Sequence, residues 1–179
     1  ESQILDALIS VYSDKSQHSF EAILKNGRLE LIRHGALWKS KDSRATAEAA
    51  RSGNLKALKL LHEEGFVWCY DCCSGASSFG HLECLRYMHE NGCPVNYLAS
   101  IAAESCGHLD CFKYIHQQGV PLSTECTAAA ACGQLACLQY AHQNGGAWDS
   151  ALIYQAAKGG HLECVIFARE QGFCNGWHR

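Results

Sequence analysis

A short segment with a glycine at each end returns at almost constant spacing along this chain. Its clearest copy runs from Gly80 to Gly92 and reads Gly-His-Leu-Glu-Cys-Leu-Arg-Tyr-Met-His-Glu-Asn-Gly. Similar segments begin at Gly53, Gly107, Gly133 and Gly160, so that the five leading glycines are separated, by subtraction, by 27, 27, 26 and 27 residues. A fixed period of this length predicts a stack of small units, each of which contacts mainly its neighbours.

Each unit has the pattern of two helices joined by a tight turn. The leading glycine allows a reversal with positive φ, and an apolar stripe at helical spacing follows it, as from Leu82 to Asn91. The closing glycine, such as Gly92, is at the position where a left-handed residue ends a helix. An alanine stands four residues before every leading glycine, which predicts a short first helix packed closely against its neighbours: Ala49, Ala76, Ala103, Ala129 and Ala156. We therefore predict an all-α solenoid of helix-turn-helix units.

The period also predicts how the chain is divided. We expect a single domain over residues 1–179, with an N-terminal capping helix at 1–18 and a partial repeat at 19–44. Solenoid ends need such a cap because the first unit otherwise exposes its core face. The five full repeats are predicted at 45–68, 69–95, 96–122, 123–148 and 149–179.

The repeated pattern resembles one known family. Residues 49–65 follow the order Ala-Ala-x-x-Gly-x-Leu-x-x-Leu-x-Leu-Leu-x-x-x-Gly, which is similar to the second half of an ankyrin repeat. The usual ankyrin period is about 33 residues, so the units here are shorter, and the Thr-Pro-Leu-His signature is absent. The resemblance thus implies a divergent ankyrin stack with reduced or absent β-hairpins. A leucine-rich repeat would fit the period, but Glu90 stands where its Asn is required.

The charge and hydrophobicity exclude two classes of partner. The net charge is -3, from 15 basic and 18 acidic residues, and no basic cluster occurs. Nucleic-acid binding needs clustered Lys and Arg, and no apolar stretch approaches the roughly 20 residues of a membrane span. We expect protein partners, no nucleic acid and no membrane span.

The 12 cysteines do not predict a disulfide framework. Four of them recur in one column of the repeat: Cys84, Cys111, Cys137 and Cys164. Successive helices lie about 8–10 Å apart, whereas a disulfide needs Cα atoms within about 7 Å. We predict small buried apolar residues and an intracellular, reducing compartment, with the cytoplasm first and an organelle interior left open.

Another group of cysteines leaves an alternative function open. Cys69 and Cys72 form a Cys-x-x-Cys pair, Cys73 follows directly, and Cys93 lies about one unit later. Such spacing can bind zinc with further ligands or act as a redox dithiol. Otherwise these are loop and helix-start residues that fill small spaces.

No other feature predicts chemistry. A histidine column ends the second helices, at His62, His89, His116 and His142. We expect each imidazole to donate to unpaired carbonyls of its own last turn, since successive members are too far apart to share one metal ion. We predict no catalytic residue, no metal and no cofactor, and hence a protein that is not an enzyme.

The predicted function is that of a non-enzymatic protein-protein interaction module or a scaffolding subunit of a larger assembly, the alternative being a zinc or thiol redox module. The ankyrin resemblance implies binding through the first-helix side and the loops. Ile166 also stands where earlier units have Lys, Arg or Gln, and we expect this end to dock on a partner or on further chain. The candidate binding residues are Glu48, Arg51, Trp68, Tyr70, Phe79, Tyr97, Trp148, Gln155, Lys158, Ile166 and Phe167.

Overall fold

The computed structural model describes residues 43–122, 127–148 and 151–173. The predicted capping helix and almost all of the partial repeat at 19–44 lie outside the described residues. Within the described ranges the chain forms ten helices and no strand. The helices are α1 Arg44–Arg51, α2 Leu55–Glu63, α3 Cys72–Ser78, α4 Leu82–Glu90, α5 Tyr97–Cys106, α6 Leu109–Gln117, α7 Thr127–Ala131, α8 Leu135–Gln143, α9 Leu152–Lys158 and α10 Leu162–Glu170.

The helices form two layers. The odd-numbered helices, which are the first helices of the units, pack on one another in chain order from α1 to α9. The even-numbered helices do the same from α2 to α10, and each first helix also packs on the second helix of its own unit. This arrangement confirms the predicted all-α stack of helix pairs.

The first-helix layer is close-packed because its central column is alanine. All five of the predicted alanines are fully buried: Ala49, Ala76, Ala103, Ala129 and Ala156. A larger side chain in this column would hold successive helices apart. The leading glycines have positive φ, as predicted, which lets the chain reverse directly after each short helix.

The second helices end in a left-handed glycine that pairs the last carbonyl groups. At the end of α4, the Gly92 amide donates to the His89 carbonyl at 3.1 Å and the Cys93 amide donates to the Met88 carbonyl at 2.9 Å. Gly92 has a φ of 85°. This is the Schellman arrangement, and it confirms the predicted role of the closing glycine.

The cysteine column lies in the core between the two layers. Cys84, Cys111, Cys137 and Cys164 are buried and carry free thiols, which confirms the prediction for these four. Burial raises the pKa of Cys84, Cys111 and Cys137 to about 11, because a thiolate is poorly solvated there.

One buried carboxylate joins two units. Glu104 of α5 is fully buried, and its Oε1 accepts a hydrogen bond from the Ala129 amide at 3.3 Å. The Glu104 side chain therefore links α5 directly to the next first helix.

No helix within the described ranges combines the length and the apolar composition needed to span a bilayer.

Candidate functional site

A ladder of hydrogen bonds connects the second helices. His62, His89 and His116 each share a hydrogen bond, through Nδ1, with a tyrosine hydroxyl of the following unit. The partners are Tyr87, Tyr114 and Tyr140, at distances of 3.0, 2.8 and 2.8 Å. The expectation that these imidazoles donate to carbonyls of their own helix was wrong in this respect, because the neighbouring hydroxyl lies within reach of the ring.

The same tyrosines are covered by cations from the preceding helix. The ring centroids of Tyr87, Tyr114 and Tyr140 lie 5.5, 5.3 and 5.7 Å from Lys59 Nζ, Arg86 Cζ and Lys113 Nζ. Burial raises the pKa of all three tyrosines, so the hydroxyls stay protonated for the ladder. The ladder ends at Phe167, which has no hydroxyl and meets His142 only through its ring, at 5.9 Å.

Removing one hydroxyl tests the ladder. We expect Tyr114→Phe to lower the free energy of unfolding by about 0.5–1.5 kcal/mol, the net value of one hydrogen bond. The ring itself fits, since Phe167 occupies the equivalent place. Urea unfolding measures the change, with the exposed Tyr154 changed to Phe as the control. Equal stability of the two variants would contradict the ladder.

A second histidine set, which the sequence analysis overlooked, joins the turns. His81 and His108 precede the second helices but make no side-chain cap. Their Nε2 atoms donate instead to the carbonyls of Arg51 and Ser78 in the preceding unit, at 2.9 and 3.0 Å. The repeated Gly-His pair was the available signal, because each ring lies against the leading glycine of the unit before it.

The first-helix layer presents exposed aromatic side chains. Tyr70 is 62% exposed, Phe79 is 58% exposed and Tyr97 is 60% exposed. Tyr70 and Tyr97 occupy equivalent positions at the start of α3 and α5, and Phe79 directly follows α3. We call these three residues the aromatic group. Large exposed aromatics are frequent anchors in protein interfaces.

Apart from Asp71, which is exposed next to Tyr70 at the start of α3, the central first helices carry no exposed charge. Glu104 is the only charged residue in α3, α5 and the described α7, and it is buried. The predicted charged and polar candidates lie at the two ends of the layer instead. Glu48 and Arg51 are on α1, Gln155 and Lys158 are on α9, and Arg51 and Lys158 are exposed.

Three other candidates lie in the packing of the second-helix layer. Trp68 is tilted against His62 at 4.9 Å and donates from Nε1 to the Asn91 carbonyl at 2.8 Å. Trp148 meets His142 at 4.3 Å and Phe167 at 5.9 Å. The loops on which both tryptophans lie are thus fixed to the stack by their rings.

The last helix leaves apolar side chains uncovered. Ile166 is 45% exposed, and Leu162 of the same helix is exposed as well. In the first three described units the Ile166 column provides the cation over the next tyrosine, and in earlier units the Leu162 column is partly buried against the core. These positions are exposed on α10 because no following unit is among the described residues.

The cysteines around the start of α3 form a cluster. Cys69 and Cys72 are joined by a disulfide with Cα atoms 5.1 Å apart, and the Cys73 and Cys93 sulfurs lie 3.2 Å apart as thiols. The expectation of disulfide-free cysteines is therefore wrong at Cys69 and Cys72, because a Cys-x-x-Cys turn brings its sulfurs together within one helical turn. In the described part of the chain, no group of three or more His, Cys, Asp or Glu side chains is arranged to hold a metal ion.

Alkylation distinguishes the two kinds of free thiol. We expect iodoacetamide at mildly alkaline pH to modify Cys106 and Cys132, because these two thiols are exposed to solvent. Cys84 and Cys111 should stay unmodified until denaturant is added, since burial blocks access and keeps them protonated. Mass spectrometry of the peptides locates the label. Equal labelling of both sets in the folded protein would contradict the described core.

Comparisons with known proteins agree with this architecture. No protein-family model matches the chain, and no curated protein sequence matches it. Among solved structures, the ankyrin repeat domain of human ASB11 is similar, with a TM-score of 0.61 and 22% sequence identity. The match covers 72% of this chain and 69% of that domain. The repeated helix pairs, the glycine turns and this structural likeness together show that the chain has an ankyrin-like repeat fold.

Proposed function

We propose that this protein is a non-enzymatic binding module that recognises a protein partner through the first-helix layer, as a scaffold or a subunit of a larger assembly. The observation that supports this most directly is the aromatic group, whose three large side chains are exposed on one layer. Exposed aromatic side chains are unfavourable in water, so a partner that covers them stabilises the complex.

The chemistry of the layer favours a partner with little charge at the centre of the contact. The central first helices offer small uncharged residues at which a partner backbone can approach closely, such as Ala102 and Ala128. Arg51 and Lys158 lie at opposite ends, where exposed cations provide contacts at the rim of an interface. We therefore propose an apolar or aromatic contact segment with flanking acidic groups, and neither nucleic acid nor lipid.

The other aromatic and apolar candidate residues lie outside the proposed binding face. Trp68, Trp148 and Phe167 support the loops by packing, whereas Ile166 belongs to a separate apolar patch at the end of the stack. The cellular compartment stays a prediction. The four column thiols are free, as expected in a reducing compartment, whereas the Cys69–Cys72 disulfide is more typical of an oxidising one.

Site-specific photocrosslinking tests the proposed face. A benzophenone side chain is introduced at Phe79, on the first-helix layer, or at Glu83, which is exposed on the second-helix layer as a matched control. We expect a protein adduct from position 79 in cell extract and none from position 83. Mass spectrometry then identifies the partner.

A second set of variants tests the chemistry of the contact. In the position 79 protein, Tyr70→Ser with Tyr97→Ser should abolish the adduct, because most of the exposed aromatic area is removed. Replacing the exposed Asp110 of α6 by Ser should leave it unchanged. The proposal fails if both faces crosslink equally, or if the adduct survives loss of the aromatic group.

A further inference from the structure

Four cysteines meet within the second described unit, around the start of α3. Cys69 and Cys72 form the disulfide at the start of α3, and Cys72 is followed directly by Cys73. The Cys73 thiol donates a hydrogen bond to the Cys93 sulfur at 3.2 Å, and both side chains are buried. Cys93 Sγ also lies 4.0 Å from the Cys69 carbonyl oxygen. Cys93 therefore contacts both its thiol partner and the residue that carries one sulfur of the disulfide.

The two pairs differ in access to solvent. Cys73 and Cys93 are enclosed by the core, so a small oxidant in water does not reach them directly. Cys69 is only partly buried, and the two residues inside the disulfide ring, Tyr70 and Asp71, are exposed, although Cys72 itself is fully buried. Cys69 can thus exchange with dissolved thiols and disulfides, while Cys72, Cys73 and Cys93 depend on their neighbours.

We propose that these four cysteines form a thiol-disulfide relay, in which the Cys69–Cys72 disulfide oxidises the buried Cys73 and Cys93 thiols. In the first step the Cys93 thiolate attacks the Cys69 sulfur, a Cys69–Cys93 bond forms, and Cys72 leaves as a thiolate. In the second step Cys73 attacks Cys93, the Cys73–Cys93 bond forms, and Cys69 leaves.

Atoms and electrons balance within the cluster. The protons of Cys93 and Cys73 end on Cys72 and Cys69, and two electrons move from the inner pair to the outer pair. A small-molecule disulfide such as oxidised glutathione then restores Cys69–Cys72 and is itself reduced to two thiols.

The position of Cys93 assigns the roles, because Cys93 is the inner cysteine whose sulfur lies against Cys69, and the electrostatics of the pair agree. Hydrogen bonding from Cys73 lowers the pKa of Cys93, whereas the same contact together with burial raises the pKa of Cys73. A thiolate is the attacking species in disulfide exchange. Cys93 is therefore the nucleophile, and Cys73 is the group that completes the second bond.

The exchange changes which part of the chain is restrained. The outer disulfide closes the turn that presents Tyr70, while the inner one ties α3 to the residue after the closing glycine of α4. Transfer of the bond would free the Tyr70 turn and fix the helix. The relay goes beyond the proposed binding function and does not depend on it, since it rests on the cysteines alone.

Oxidation of the whole chain followed by peptide mapping tests the relay. The reduced protein is treated with oxidised glutathione, quenched in acid at intervals, alkylated and digested with trypsin. Cys73 and Cys93 lie in separate tryptic peptides, 60–86 and 87–113. We expect Cys69–Cys72 to form first, and the two peptides to become linked through Cys73 and Cys93 later. Cys84 stays free throughout as the buried control thiol.

Two variants separate the relay from direct oxidation of the inner pair. In Cys69→Ser with Cys72→Ser, the inner disulfide should form at least ~10-fold more slowly, because access limits exchange. In Cys73→Ser the second step is blocked, so the Cys69–Cys93 intermediate should accumulate with Cys72 free. Circular dichroism checks that each variant is folded, and Cys73→Ala replaces Cys73→Ser if it is not.

The relay is overturned by any of three results in folded protein. These are the absence of a Cys73–Cys93 link after full oxidation, equally fast formation of that link without the outer pair, and the absence of the Cys69–Cys93 intermediate in both Cys73 variants.

Discussion

Replacing Phe112 by Ala should lower the free energy of unfolding by about 3–5 kcal/mol, the usual loss for a large aromatic residue in a core. Phe112 is the largest of the fully buried side chains and lies on α6, in the middle of the described stack. Its ring also meets the Tyr140 ring of the next unit at 5.6 Å. The variant therefore loses packing within its own unit and across a unit boundary.

A central defect should also affect cooperativity. The stability of a solenoid is the sum of unit and interface terms, so a weakened α6 separates the units before it from those after it. Urea unfolding followed by circular dichroism should show a lower midpoint and a broader or split transition. Phe79→Ala, at an exposed phenylalanine, is the matched control and should change the stability by less than about 0.5 kcal/mol. Similar losses in the two variants would mean that the core is not where the structure places it.

Replacing Gly80 by Ala should have the second largest effect. Gly80 has a φ of 73°, and a Cβ atom added there would lie 2.6 Å from His108 Nδ1. The left-handed backbone costs about 1–2 kcal/mol for alanine, and the overlap with the ring costs about 1–3 kcal/mol more. The His108 ring cannot move aside freely, because its Nε2 bonds to the Ser78 carbonyl.

A matched glycine separates these two costs. Gly92 has a similar φ of 85°, but a Cβ atom there would meet nothing within 4 Å. Gly92→Ala should therefore show only the backbone cost. In a His108→Ala background, Gly80→Ala should become no worse than Gly92→Ala, since the ring is gone. If Gly80→Ala and Gly92→Ala are equally destabilising in the wild-type background, the contact between the turns has no energetic role.

The proposed function assigns binding to the aromatic group and stability to the ladder residues and Phe112. The aromatic group is exposed and makes little contribution to stability, so its loss should affect binding alone. The ladder residues and Phe112 are inside the stack, so their loss should affect stability first. Comparing binding with unfolding for Tyr97→Ser and Tyr114→Phe distinguishes the two roles in one set of measurements.

The sequence by itself determined the repeated architecture. Glycines at a constant spacing, the alanine column and the cysteine column depend only on local periodicity, and each of these features reports on the packing of a helix against an equivalent helix. Ala103 and Cys111 therefore revealed burial without any knowledge of the neighbouring unit. The short period likewise predicted loops in place of hairpins.

The sequence could not reveal which side chains meet across the units. His89 was correctly placed in a structural role, but its partner Tyr114 is 25 residues away in the chain, and only the stacking brings their polar atoms within 2.8 Å. Nothing in the sequence marked Glu104, although its side chain accepts a hydrogen bond from the Ala129 amide of the next unit. Cys73 and Cys93 belong to one unit but lie 20 residues apart, and only the packing of that unit brings their sulfurs together.

Periodic spacing thus determined the helices, the turns and the buried columns, because these follow from the local preferences of each unit and are repeated five times. The tertiary structure decided the ladders and the buried Glu104 contact, because shifts of a few tenths of an ångström between units decide whether such hydrogen bonds form. It also decided the cysteine cluster, which depends on how the loops and helices of one unit pack. A repeating pattern fixes which residues face a neighbour, whereas the rise and rotation between units decide which atoms touch.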